Sequence, residues 1–84
     1  MRSIRWTPAA EKDLRRLDYG LQDRVRQALA RLAGTGHGDV RKLEGVPDEF
    51  RLRVGDWRVR FRFDDDTGTI DVLRVLPRGR AYPD

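Results

Sequence analysis

The residues of this sequence best suited to chemistry are arginines that alternate with apolar side chains along two short segments. The segments span 50–54 and 57–63, and only Gly55 and Asp56 separate them. A Gly-Asp pair between alternating segments is typical of a two-residue β-hairpin loop, which fixes the register of the two strands. In that register, one face of the hairpin carries only basic side chains: Arg51, Arg53, Arg58, Arg60 and Arg62.

The register also sets like charges opposite each other, with Arg53 facing Arg58 and Arg51 facing Arg60. Each such pair destabilises a ladder by a few tenths to about 1 kcal/mol. A bound anion would offset this repulsion, and a guanidinium group binds phosphate through two parallel hydrogen bonds. The hairpin therefore predicts an open, basic sheet face on which a phosphate backbone binds.

The other hairpin face is apolar and predicts the core: Phe50, Leu52, Val54, Trp57, Val59, Phe61 and Phe63. The elements before the hairpin are a first strand over 3–6 and a helix that begins after Thr7 and ends near Leu17. A second helix is predicted from Leu21 to about Ala33, because its apolar residues recur at helical spacing.

A last strand is predicted over 69–76, and its nearly continuous apolar side chains indicate a central strand covered on both faces. The segment 40–47 is interpreted as a connection that leads into the hairpin. The order is then β-α-α-β-β-β. It predicts an α+β fold in which two N-terminal helices pack on one face of a small, mainly antiparallel four-stranded sheet.

Composition narrows the possible functions. The 84 residues fit a single domain over 1–84, with a net charge of +4 that comes from sixteen arginines and two lysines against fourteen acids. There is no cysteine and only one histidine, so we expect neither a metal site nor a cofactor. No run is long and apolar enough for a membrane span or a signal peptide, which favours a cytoplasmic protein.

Plainer interpretations exist for several residues. The arginine bias can reflect a GC-rich genome, and Arg60 and Arg62 can be solvated charges on the sheet face. His37 lies in a glycine-rich loop and is interpreted as a loop residue. The acidic run 64–66 lacks the ligand spacing of a calcium loop and is interpreted as a hairpin turn. Trp57 faces the core by strand parity.

Four motifs resemble the RelE/ParE superfamily of type II toxins and together span almost the whole chain. They are Trp-Thr-Pro-Ala-Ala-Glu-Lys-Asp-Leu at 6–14, Lys-Leu-Glu-Gly at 42–45, Phe-Arg-Leu-Arg-Val-Gly-Asp-Trp-Arg-Val-Arg-Phe at 50–61 and Val-Leu-Arg-Val-Leu-Pro-Arg at 72–78. The resemblance implies the fold predicted above and a cognate antitoxin that wraps the toxin. For the RelE branch, which we favour, it implies cleavage of messenger RNA in the ribosomal A site.

The RelE branch works with basic residues on its second, third and fourth strands and often with a late tyrosine. Carried over to this sequence, the resemblance implies the catalytic residues Arg51, Arg53, Arg58, Arg78 and Tyr82, and the RNA-binding residues Lys42, Arg60 and Arg80. Two departures concern the chemistry. Arg53 stands where the family often has a lysine, its proposed general base, and Pro77 stands where many members have a histidine. The identity of the general base is therefore left open.

Two rival functions share this fold. One is a ParE-like inhibitor of DNA gyrase that cleaves nothing, and the other is a degenerate member that only binds an antitoxin or RNA. In each case we expect a monomer alone and a hetero-oligomer with a small, acidic, partly disordered antitoxin. The nuclease would also bind the ribosome and messenger RNA.

Overall fold

The structure is a computed structural model that describes residues 2–79. Its elements are β1 (Ser3–Trp6), α1 (Pro8–Arg15), α2 (Tyr19–Thr35), β2 (Val40–Lys42), β3 (Glu49–Val54), β4 (Trp57–Asp64) and β5 (Thr69–Pro77). The strands form one sheet in the order β1-β5-β4-β3-β2. β1 runs parallel to β5, and the other neighbouring strands are antiparallel.

This architecture confirms the predicted α+β fold, but the sheet has five strands rather than four. The additional strand is β2, which lies within the segment predicted to be a connection. It pairs with β3 in the register Val40 to Leu52, Arg41 to Arg51 and Lys42 to Phe50. Three residues with one apolar side chain carry little strand signal of their own, so β2 depends on the ladder that β3 offers.

Both helices begin at capping residues that the sequence supplies. Thr7 accepts a hydrogen bond from the backbone N–H of Ala10, and its own hydroxyl donates to the carbonyl of Val72 at 2.9 Å. Thr7 thus ties the start of α1 to β5. Asp18 accepts from the N–H of Leu21 at 2.8 Å and starts α2 two residues before the predicted position.

The core lies between the two helices and one face of the sheet. Its buried members are Ala10, Leu14, Val25, Leu29, Leu32 and Ala33 on the helices, Leu17 between the two helices, and Leu52, Val54, Val59, Phe61, Ile70, Val72 and Val75 on the sheet. Phe50, Trp57 and Phe63 are half-buried and pack against this cluster, as the predicted parity of the hairpin requires. The helices therefore cover the apolar face and leave the basic face uncovered by them.

A β-bulge explains the apolar run of β5. The register with β4 shifts between Arg60 and Phe61, so that Arg60 faces Arg74 while Phe61 faces Val72. The strand has one extra residue at Leu73, and the alternation changes parity there. This corrects the interpretation of β5 as a strand with two apolar faces: Ile70, Val72 and Val75 are buried in the core, while the other face carries the charged Asp71 and Arg74 together with Leu76.

The hairpin has the predicted register at all five predicted pairs, from Phe50 opposite Phe61 to Val54 opposite Trp57. Gly55 has φ of 59°, and the only non-glycine residue with positive φ among residues 2–79 is Asp48. Positive φ at the first loop residue alone is the requirement of a type II′ turn, whose twist matches that of the strands. No helix among the described residues is long and apolar enough to cross a membrane.

Candidate nucleic-acid interface

A basic pocket opens on the sheet near the turn of the hairpin. It has a volume of about 210 Å³ and is lined by Asp39, Arg41, Arg51, Arg53, Arg58 and Arg78, which we call the arginine pocket. Its arginines come from β2, β3 and β4 and from the residue that follows β5. Four of the five predicted catalytic residues, Arg51, Arg53, Arg58 and Arg78, thus line a single pocket.

The strand register explains why the guanidinium groups converge. Arg41 faces Arg51 across β2 and β3, and Arg53 faces Arg58 across β3 and β4. Facing side chains on antiparallel strands lie about 5 Å apart at their Cβ atoms, so each pair concentrates positive charge. The result is a surface with the charge and the planar donors that bind phosphate groups.

The hairpin turn holds three of these arginines through its carbonyl oxygens. The carbonyl of Gly55 accepts from Nη1 of Arg58 at 3.0 Å and from Nε of Arg53 at 3.5 Å. The carbonyl of Asp56 accepts from the backbone N–H of Arg78 at 2.7 Å. The two-residue loop therefore does more than join β3 to β4, since it also fixes the residues that line the pocket.

Arg58 is the most enclosed of the pocket arginines, with only 5% of its surface exposed. Its Nη1 also donates to the carbonyl of Trp57 at 3.1 Å, and its partner on β5 is Leu76. This burial corrects the expectation that every arginine of the hairpin face stands open to solvent. The burial is local to the turn end of β4, since Arg62 near the other end of the strand is exposed.

Sequence reasoning missed two residues of the pocket, Asp39 and Arg41. Arg41 was assigned to a connection, and the signal that would have found it is the alternation of Val40, Arg41 and Lys42 on a short edge strand. Asp39 precedes that strand. Its backbone carbonyl accepts from the N–H of Arg53 at 2.9 Å, and its Oδ2 lies 3.7 Å from Nη1 of the same arginine.

The remaining predicted site residues lie elsewhere. Lys42 is exposed on β2 and does not line the arginine pocket. Arg60 donates from Nη2 to both carboxylate oxygens of Glu49 at 3.1 Å each. Arg80 and Tyr82 lie outside the described residues.

Other arginines of the sheet are bound to buried carboxylates, and we call these three contacts the ion-paired region. They are Arg60 with Glu49, Arg74 with Asp13 at 2.7 and 3.2 Å, and Arg5 with Asp71 at 2.6 Å. Asp13 also accepts the backbone N–H of Val75 at 2.9 Å. The pairing of β1 with β5 ends at Val72, so the N–H of Val75, which lies beyond the end of β1, donates to Asp13 instead of to a strand.

Two of these carboxyl groups are held in their charged form. Burial alone would raise the pKa of Asp13, but the hydrogen bonds from Arg74 and Val75 outweigh it and hold the pKa below its ordinary value. The pKa of Asp71 is also lowered, because hydrogen bonds from Arg5 and Thr69 outweigh the effect of its burial. Residues 2–79 contain no group of three or more acidic or histidine side chains that could hold a metal ion.

Known proteins share this fold and sequence pattern. The sequence model of the ParE toxin of the type II toxin–antitoxin system parDE matches residues 4–82. RelE in the RelE–RelB complex of the archaeon Pyrococcus horikoshii is 28% identical, with a TM-score of 0.75 over 94% of this chain and 97% of that chain. Comparison with curated proteins gives no match.

Two further structures extend the comparison. The isolated RelE toxin of E. coli has a TM-score of 0.81 over 95% of this chain and 87% of that chain, at 18% identity. The RelBE2 toxin–antitoxin complex of Mycobacterium tuberculosis is 26% identical, with a TM-score of 0.62 over 92% of this chain and 98% of that chain. The fold is thus RelE-like, and since the family match spans nearly the whole sequence, the chain belongs to the ParE toxin family within the RelE/ParE superfamily of type II toxins.

Proposed function

We propose that this toxin is an endoribonuclease that cleaves messenger RNA on the ribosome and so inhibits translation. The observation that carries the proposal is the arginine pocket, in which five guanidinium groups from four parts of the chain share a space of about 210 Å³. RNA offers such a pocket a phosphodiester with an adjacent 2′-hydroxyl, which is an internal nucleophile. The 28% identity to an archaeal RelE supports the same assignment.

The proposed reaction breaks one P–O bond of the RNA. The 2′-hydroxyl loses its proton to a base, and its oxygen attacks the adjacent phosphorus to form a pentacoordinate phosphorane. The bond to the 5′-oxygen then breaks, and that oxygen gains a proton. The products are a 2′,3′-cyclic phosphate and a 5′-hydroxyl end. Charge accumulates on the phosphorane oxygens, so fixed hydrogen-bond donors around them lower the barrier.

The pocket arginines suit the role of these donors. A guanidinium group stays charged at neutral pH, so it stabilises negative charge but does not serve as a base. The guanidinium of Arg58 is held by the carbonyls of Gly55 and Trp57, and a donor fixed in advance needs little reorganisation during the reaction. Arg51, Arg53 and Arg78 add donors from other sides of the pocket. Tyr82 stays a predicted member of the site.

We also propose that an acidic antitoxin binds this chain and neutralises its basic face. The chain carries a net charge of +4, and five of its eighteen basic residues line the arginine pocket. The similar structures from Pyrococcus horikoshii and Mycobacterium tuberculosis are toxin–antitoxin complexes. A carboxylate-rich segment that folds on binding would complement the pocket in charge.

Inhibition of DNA gyrase is the second candidate, and the family match favours it because the matching model is that of ParE. A gyrase inhibitor binds its target without cleaving RNA. The arginine pocket would then serve a protein or DNA contact, and changes in it would alter supercoiling rather than messenger integrity.

One experiment separates the two candidates. The purified chain is added to ribosomes programmed with a defined message, and cleavage is mapped by primer extension, while a parallel reaction measures supercoiling by gyrase. We expect cleavage between codon positions and no effect on supercoiling. Arg78→Ala should abolish cleavage, whereas Arg62→Ala should retain it, because Arg62 is exposed on β4 outside the pocket. Arrested supercoiling with an intact message would overturn the nuclease assignment in favour of gyrase.

A further inference from the structure

One carboxylate lies among the guanidinium groups of the arginine pocket. Asp39 is the only described residue lining the pocket that is not an arginine. It belongs to the loop between α2 and β2, and the side chains that surround the pocket with it are all cationic: Arg41 on β2, Arg51 and Arg53 on β3, Arg58 on β4 and Arg78 after β5. Asp39 is therefore the group in this set with acceptor oxygens on its side chain, whereas the guanidinium groups carry only donors.

The backbone brings Asp39 to this position. α2 ends at Thr35 and is capped by Gly36, whose φ of 75° turns the chain back toward the sheet. At Gly38 an added Cβ would lie 2.9 Å from Cδ1 of Leu52, so the loop packs directly on β3. The carbonyl of Asp39 then accepts the N–H of Arg53 at 2.9 Å, which extends the contacts of β3 by one residue beyond β2.

We propose that Asp39 is the general base of the reaction, an inference that rests on the proposed nuclease function. Its carboxylate takes the proton of the 2′-hydroxyl as the 2′-oxygen attacks phosphorus and the bond to the 5′-oxygen breaks. The 5′-oxygen takes a proton from water, and Asp39 then returns its own proton to solvent. Asp39 supplies the base that the arginines of the pocket lack, since a guanidinium group does not act as a base at neutral pH.

The contact with Arg53 alone does not explain why a carboxylate stands in this place. Oδ2 of Asp39 lies 3.7 Å from Nη1 of Arg53, and both side chains are more than half exposed, at 54% and 59%. Exposed pairs of this kind contribute little to stability. The geometry leaves the carboxylate accessible to a substrate in the pocket, as a general base requires.

The test is Asp39→Asn, which keeps the size of the side chain and removes its basicity. On programmed ribosomes, kcat should fall by about 10²- to 10⁴-fold, the usual contribution of general acid–base catalysis. KM should stay the same or decrease, since a negative charge has left a pocket that binds phosphate. The pH profile of kcat should differ between the unsubstituted chain and Asp39→Asn, since only the former has the carboxylate that takes the proton. Asp39→Glu, which restores a carboxylate, should regain part of kcat and the pH dependence.

The control is Asp48→Asn, which removes one negative charge from an exposed residue outside the pocket and should leave kcat unchanged. If Asp39→Asn keeps the kcat and pH profile of the unsubstituted chain, the base assignment is wrong while the nuclease function stands. A raised KM with an unaltered pH profile also overturns it and makes Asp39 a residue that positions Arg53. No cleavage by the unsubstituted chain overturns the nuclease function together with this inference.

Discussion

The arginine pocket and the ion-paired region use the same side chain in different settings. In the ion-paired region each guanidinium contacts a buried carboxylate, as with Arg74 and Asp13 at 2.7 Å, where Asp13 is only 6% exposed. Among the described residues that line the arginine pocket, the one carboxylate is that of Asp39, which is exposed and lies 3.7 Å from Arg53. Guanidinium groups enclosed with carboxylates hold the fold together, whereas those gathered around an open pocket offer donors to an anion.

The two regions differ because of where the strands and helices place their carboxylate side chains. Glu49 sits at the start of β3 and reaches Arg60 on β4, and Asp13 reaches β5 from α1. Both carboxylates contact the sheet away from the hairpin turn. Near the turn, the carbonyl of Gly55 accepts hydrogen bonds from Arg53 and Arg58, and the carbonyl of Trp57 accepts another from Arg58, so backbone carbonyls help to orient these arginines.

The largest expected effect is on catalysis by a pocket arginine. Arg51→Ala should reduce cleavage on programmed ribosomes by about 10²- to 10³-fold, the usual loss when one donor to a transition-state oxyanion is removed. The melting temperature should change little, because Arg51 is half-buried on the polar face and lies outside the core. Initial rates and thermal melts measure the two quantities.

Arg62→Ala is the matched control for Arg51→Ala, since both residues lie on the hairpin face and only Arg51 lines the pocket. Equal losses of activity in the two variants would show that overall charge, rather than the pocket, determines cleavage. The distinction between the two regions would then be wrong.

The next effect is on stability, through a member of the ion-paired region. Asp13→Ala removes the acceptor of Arg74 and of the Val75 N–H, so the free energy of unfolding should fall by about 2 kcal/mol. Cleavage per folded molecule should stay the same. Urea denaturation measures the loss, and Asp23→Ala, an exposed acid on α2, should show a much smaller one. A loss of activity without a loss of stability would contradict the structural role of Asp13.

The sequence predicted the hairpin in detail because its determinants are local. Gly55 and Asp56 select a two-residue loop, and strand parity then assigns each side chain to a face. The same reasoning correctly predicted the core and grouped Arg51, Arg53 and Arg58 on one face. Contacts between residues near in sequence therefore allowed most of the fold, and half of the residues of the arginine pocket, to be predicted.

What the sequence could not provide depends on contacts distant along the chain. β2 exists because β3 offers a free edge, and the bulge at Leu73 appears only when β5 pairs with β4. The difference between the arginines of the ion-paired region and those of the arginine pocket also depends on contacts between residues distant in sequence. Asp13 lies 61 residues before its partner Arg74, so no local pattern reveals that this arginine is bound.

A third prediction concerns pH and follows from the lowered pKa of Asp13 and of Asp71. A carboxyl whose pKa is lower in the folded chain stabilises the fold above its unfolded pKa of about 3.9. That stabilisation is lost as pH falls through the folded pKa. The melting temperature should therefore fall as the solution is acidified below about pH 5.

Asp13→Asn removes one of the two titrating groups, so its melting temperature should depend less on pH than that of the unsubstituted chain. Asp48→Asn, at an exposed residue, should preserve the full dependence. If the melting temperature depended on pH equally in all three proteins, Asp13 would not contribute to the loss of stability in acid.

The smallest effect tests whether the hairpin turn organises the pocket. Gly55 and Gly68 each close a turn with positive φ, 59° and 68°, so alanine at either position should cost about 1 kcal/mol of stability through backbone strain. Only Gly55 carries the carbonyl that holds Arg53 and Arg58. Alanine keeps this carbonyl, but the backbone strain at position 55 should displace it from Arg53 and Arg58. Gly55→Ala should therefore also lower the rate of cleavage, while Gly68→Ala should lower stability alone. Equal rates per folded molecule in the two variants would mean that the pocket keeps its geometry without help from the turn, and that strand register alone gathers its arginines.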